Sequence, residues 1–197
     1  MKLDIGRLFR KRPRDKVATP GIRMKFRDVA FSYRMTAGVQ GEVNRTHPCS
    51  IEPVLNDATA PVLGYGLACF TNGASNDVRQ PVIGDNTATH IYGVTVRPYP
   101  MQQFTGGMTA TFGGATPPAG KPIDVLKAGY ILVPCQGTPN KGDAVFVWCA
   151  PTAAPHVQGG FETVASAGNT AALANDGTIY WNGPADVNGL AELVFNV

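Results

Sequence analysis

Residues 123–150, IDVLKAGYILVPCQGTPNKGDAVFVWCA, decide the fold class. Two dense apolar runs, 130–133 (YILV) and 144–149 (AVFVWC), flank the polar stretch 137–143 (GTPNKGD). β-Branched and aromatic residues bounded by Gly, Pro, Asn and Asp predict two strands joined by a turn-rich loop. Along the second strand Phe146 and Trp148 project to one face, and Val145, Val147 and Cys149 to the other. Neither face is polar, so both must be covered, by a second sheet or by another subunit. The expectation is an all-β domain that associates: a β-sandwich or jelly-roll-like barrel of short antiparallel strands. Tyr130, Phe146 and Trp148 are expected in its core or at a subunit interface.

Strand patterns recur outward from this stretch. They fall at 29–34, where Val29, Phe31 and Tyr33 alternate with smaller or polar residues, and at 51–55, 62–70 and 87–97. Further patterns lie at 161–164, 171–174, 179–181 and 190–197, the last with Leu193, Phe195 and Val197 on one face. Asp176-Gly177 is a hairpin signal between 171–174 and 179–181. Residues 101–122, with five glycines and three prolines, form the longest loop. Nine or ten strands are expected, in a single β domain over 27–197. Gly (23) and Pro (16) make up about a fifth of the 197 residues, against about 12% in average proteins. That surplus fits an all-β chain with many turns, and 44% apolar residues argue against disorder. No run of 18 apolar residues exists, which predicts no transmembrane helix and no membrane partner. The first residues lack the apolar core of a signal peptide, so synthesis and use without export are expected.

The net charge of +3 conceals a division. Residues 1–34 carry eleven Lys/Arg and three Asp, net +8; residues 35–197 carry six Lys/Arg and eleven Asp/Glu, net −5. Residues 1–26 read as an extended basic arm. Ile5, Leu8 and Phe9 are spaced for one apolar helical turn, and Arg7, Arg10, Lys11, Arg12 and Arg14 crowd around it before and after Pro13. A segment this short does not hold a helix alone, so it orders on a partner or remains a solvated tail. Its charge suits an acidic protein surface, nucleic acid or an anionic membrane. Nucleic acid is disfavoured: the arm lacks interleaved aromatics for base stacking, and the acidic body repels phosphate.

Chemistry-bearing motifs do not assemble. Cys49, Cys69, Cys135 and Cys149 form no C-x-x-C pair and sit beside apolar runs, where thiols behave as small hydrophobes. His47-Pro48-Cys49 offers two metal donors and no third nearby; His90 alternates within a strand pattern and reads as a sheet residue. Residues 114–122 (GATPPAGKP) have five residues between the glycines where a phosphate-binding loop has four, and Pro122 supplies no hydroxyl for Mg²⁺. No catalytic residue, metal, cofactor or small-molecule substrate is expected. A rival reading makes Tyr180, Trp181 and the 101–122 loop a sugar-stacking site; another makes the chain a minor head or tail component.

The order of elements resembles the capsid cement, or decoration, proteins of tailed bacteriophages. The likeness rests on 64–68 (GYGLA), 91–97 (IYGVTVR), a variable Gly-rich loop, 123–133 (IDVLKAGYILV) and 141–147 (KGDAVFV), the last similar to the family's G-D-x-V-x-V strand. The resemblance implies a small β-sandwich or barrel that forms dimers or trimers on the outer surface of the phage head. Such proteins bridge neighbouring major capsid protein subunits and stiffen the shell against packaged DNA; no catalytic residues come with them. The virion surface is then the expected location, after synthesis in the host cytoplasm. The basic arm is not part of that pattern. Its expected role, with Ile5, Leu8 and Phe9 as anchors and its cations as steering charges on an acidic capsid patch, follows from the charge division alone.

Overall fold

The computed structural model describes residues 38–45, 48–73, 75–85, 91–98, 116–173 and 177–197. The chain divides into two units, Met1–Arg34 and Met35–Val197, and the described residues all belong to the second. The expected arm, the 29–34 strand, His47, His90 and most of the 101–122 loop lie outside the described residues.

The described body is all-β, without a helix, and its sheet curls into a mixed half-barrel. In chain order the strands are β1 (Ser50–Leu55), β2 (Ala68–Thr71), β3 (Val78–Arg79), β4 (Ile91–Thr95), β5 (Pro122–Gln136), β6 (Phe146–Trp148), β7 (Phe161–Glu162), β8 (Thr170–Ala172), β9 (Tyr180–Trp181) and β10 (Leu190–Asn196). The main path runs β3-β2-β4-β5-β7-β6-β8, with β1 and β10 also on β5, and β9 on β10. Every pair is antiparallel except β5–β7.

β5, 15 residues long, is the spine. Leu126 is flanked by Ile51 of β1 and Val94 of β4, and Ile131 by Leu193 of β10 and an isolated bridge from Val43. β1 gives way to β10 at Ala128, opposite which both Ser50 and Asn196 stand. There the register slips: consecutive Ser50 and Ile51 face Ala128 and Leu126, leaving Lys127 as the extra residue of a β-bulge. Ile123 and Val125, before the bulge, enter a small core with Val54, Val62, Leu67, Cys69 and Val78. Ile131, Val133 and Cys135, beyond it, enter the main core with Leu126, Val147, Phe161, Trp181, Leu193 and Phe195. Phe161 and Trp181 meet edge to face, centroids 6.4 Å apart. Each such side chain contributes about 1.5–3 kcal/mol through burial.

Several expectations about pairing are corrected. The two runs that open the sequence reading do become strands, β5 and β6, but not a hairpin. β7 lies between them, antiparallel to β6 and parallel to β5. Nor do the strands around Asp176-Gly177 pair with each other: β8 joins β6, and β9 joins β10. Of the pattern over 62–70, only its end becomes a strand. Gly66 adopts a left-handed φ of +65°, and the buried Thr95 hydroxyl donates to Gly64 O (2.8 Å) while accepting from Leu67 N (3.1 Å). These bonds satisfy a turn that is apolar and buried yet not extended. Finally, Val197 is exposed rather than in line with the buried Leu193 and Phe195, because it lies beyond the last pair of β10.

Candidate interaction surfaces

The outer face of β5, β10 and β9 carries an aromatic row. Val194 stands opposite Tyr130 on one side and Tyr180 on the other, and all three side chains are half-buried. One step along β10, Glu192 collects four hydrogen bonds. Arg45 Nε and Nη2 donate to Oε1 (3.1 Å) and Oε2 (2.8 Å), Asn44 Nδ2 donates to Oε1 (2.6 Å), and Asn182 Nδ2 donates to Oε2. The Arg45 guanidinium also lies 4.2 Å above the Tyr130 ring centroid. Burial pushes the Glu192 carboxyl up, but the bonds from Asn182, Arg45 and Asn44 outweigh it and hold the group below the usual carboxylate range. On the other flank of the row, Thr178, Asn196, Gly129 and Pro48 complete a groove of about 300 Å³.

A second surface is an apolar tip. Arg79 forks onto Asp85 (Nη1–Oδ2 2.9 Å, Nη2–Oδ1 2.8 Å), and Val82 N donates to the same Oδ2 (2.7 Å). This clamp fixes a turn that holds Val82 and Ile83 exposed. Gln158 Nε2 donates to Pro81 O (2.6 Å), tying the turn to the loop that carries exposed Val157.

The third feature is a clasp over β6 and β7. Trp148 stacks on His156, and His156 Nδ1 meets buried Glu162 Oε1 at 2.5 Å. Trp148 is thereby nearly covered, while Phe146 is half-buried on the same strand. The structure does not bring Tyr130 to them; it belongs to the aromatic row. Trp181 is fully buried in the main core, its indole nitrogen without a hydrogen-bond partner among the described residues, so it cannot stack on a sugar. The Arg45–Glu192 pair was not legible in the sequence, since nothing local signals a contact between positions 147 residues apart, and the His156–Glu162 pair, six residues apart, matches no helix or strand spacing that would have flagged it. Cys69, Cys135 and Cys149 are buried free thiols and Cys49 is half-buried. No cluster of three or more metal-binding side chains occurs among the described residues, and no described helix is long and apolar enough to cross a membrane.

The fold has a counterpart among solved structures. A chain of the capsid of Myoviridae phage XM1 superposes with a TM-score of 0.61 at 16% identity, over 83% of this chain and 93% of that one, which establishes a shared fold. No curated protein matches. A capsid-family profile does match, over residues 28–195, and makes this chain a capsid-associated protein of a phage. The chain belongs to the XM1 gp53 minor capsid protein family, and its place is the virion.

Proposed function

We propose that the protein is a cement of the phage head: it binds the outer surface, bridges neighbouring major capsid protein subunits and stabilises the shell against packaged DNA. Membership of a minor capsid protein family is the observation that carries this reading. The charge division supports the means. A +8 segment is suited to be steered by charge onto an acidic capsid patch. Ile5, Leu8 and Phe9 supply apolar anchors, and Arg7, Arg10, Lys11, Arg12 and Arg14 the steering charge. The Val82–Ile83 tip, held in one shape by Arg79 and Asp85, provides a second, preorganised contact. Dimers or trimers multiply such contacts by avidity, and the half-buried Phe146 offers an apolar point for the subunit contact.

Removing residues 1–26 and measuring occupancy on capsids tests the arm. Occupancy is expected to collapse, and that of the intact chain to fall as salt rises. Undiminished binding by the truncated chain overturns the arm's role. Copy number per particle separates a shell-wide cement from a connector component present only at one vertex.

A further inference from the structure

We propose that a second copy of this chain docks on the outer face of the sheet at the C-terminal end of β5; the inference rests on the oligomer invoked above and assigns its contact surface. The registers set out a row across four strands. Gln136 of β5 stands opposite Glu162 of β7, Glu162 opposite Phe146 of β6, and Phe146 opposite Ala172 of β8. Residues paired in this way share one face, here the one turned away from core residues Cys135, Phe161 and Val147. Pro134 of β5, opposite Leu190 of β10, extends the same face. Phe146, Pro134 and Leu190 are half-buried, and Ala172 is exposed. A valine stands out on either side of the end of β5. Val164, 71% exposed, follows Thr163, whose N donates to Gln136 O (3.1 Å). Val187, 88% exposed, lies two residues before Gly189, whose O accepts from Cys135 N (2.8 Å). These two are the most exposed large apolar side chains among the described residues.

Hydrogen bonds hold both valines in place. Asp186 Oδ1 accepts from Asn188 N (2.8 Å) and Leu190 N (2.9 Å), and Asp186 O from Gly189 N (3.1 Å). After Val164, Ser166 N donates to Thr170 Oγ1 (2.8 Å), and Ser166 O accepts from Asn169 N and Thr170 N (3.0 Å each). A β-branched side chain on a tied turn has little freedom left to lose, which lowers the ordering cost of contact. Charge selects the occupant. In the segments that form this surface, 134–136, 146–148, 162–172 and 184–190, the charged residues are Glu162 and Asp186. Glu162, with a side-chain exposure of 8%, meets His156, and Asp186 is bound to its own turn. Residues 35–197 carry a net charge of −5, so two such bodies repel each other as they approach. The repulsion is least where each presents apolar side chains and carboxylates already bound within their own chain, and two identical faces of this kind satisfy the condition together.

Sedimentation equilibrium of the whole chain tests the surface. The parent is expected to self-associate, and to stay associated at about 1 M salt, where the Debye length is about 3 Å, because the contact is apolar. Val187→Asp and Val164→Asp each place a carboxylate on the surface at an exposed position. Each is expected to weaken association by about tenfold or more while keeping the parent's near-ultraviolet dichroism. Val197→Asp, exposed at the opposite end of β10, is expected to associate like the parent. A monomeric parent overturns the proposal, as does undisturbed association in both aspartate variants of the surface. Equal weakening by Val197→Asp shows a general charge effect and overturns it too. An oligomer that dissolves as salt rises is held by the basic segment on an acidic neighbour and overturns it equally. Capsid occupancy is read separately: a self-associating parent that never occupies capsids overturns the cement reading and leaves this surface standing.

Discussion

Trp148 and His156 lie face to face, ring centroids 4.0 Å apart and 9° from parallel. The stack shields Trp148 and aims the other edge of the imidazole at Glu162, a carboxylate with a side-chain exposure of only 8%. Loss of the imidazole uncovers the tryptophan and leaves Glu162 short of a buried partner. His156→Ala is expected to cost about 1–3 kcal/mol. A lower urea midpoint with an unchanged slope checks this; a midpoint equal to that of the parent shows the clasp to be incidental.

Acid should loosen the body through two carboxylates. Glu192 sits below its ordinary range for the reasons given above. Asp57 does so because Thr59 N (2.6 Å) and Ala60 N (3.2 Å) donate to Oδ1, with Asn72 Nδ2 on Oδ2 (2.9 Å). A carboxyl whose folded pKa is depressed adds stability that is complete above its unfolded pKa and is lost as pH falls through the folded one. The stability from these groups is therefore expected in full at neutral pH and to vanish below the usual carboxylate range. Glu192→Gln should lower the melting temperature at pH 7 and converge on the parent in strong acid. A constant difference across pH would show that Glu192 acts through shape alone.

Thiol labelling reads the core directly. Burial pushes Cys69 and Cys135 up to about 12 and Cys149 up to about 11, so none offers a thiolate near neutral pH. Iodoacetamide should modify only half-buried Cys49 in the native protein and all four cysteines in denaturant, as counted by intact mass. Native labelling of Cys69 would contradict the packing of β2 against β4.

Gly93 of β4 lies close against β5. A Cβ there would stand 2.4 Å from Leu126 O and 2.4 Å from Val125 Cγ1, and the carbonyl cannot yield without moving β5. Gly93→Ala is expected to destabilise by about 1–3 kcal/mol, the range for overpacking. Thermal melts check the size, and retention of the parent's stability would mean that the two strands part without penalty.

The sequence revealed burial more faithfully than partnership. Period-two alternation places Ala191, Leu193 and Phe195 inward on β10, and Val145 and Val147 inward around β6, all of which are buried. It cannot say which strand lies alongside. Asp176-Gly177 signals a reversal, but β8 and β9 each bond to a different neighbour. Residues 62–67 are apolar because they are buried, and apolarity alone does not distinguish an extended strand from a turn held by the Thr95 hydroxyl. Within the aromatic row, Tyr130 and Tyr180 belong to stretches that read as strands, yet their meeting across Val194 depends on the registers of both β5 and β10 with their neighbours. Arg45 and Asn44 come from a segment with no strand pattern at all.

The way the body's first described residues are fastened has a mechanical consequence. Gly41 N donates to Leu132 O (2.8 Å), Leu132 N to Glu42 O (2.9 Å) and Arg97 N to Gly41 O (2.8 Å). A few residues on, Arg45 is riveted to Glu192. Tension arriving from the N-terminal side thus meets the spine and the end of β4 first, then a fork on β10, within five residues of Gly41. The strain spreads across three strands before any one of them is asked to peel, and Val43, between these fastenings, carries the same load onto the main core through Ile131.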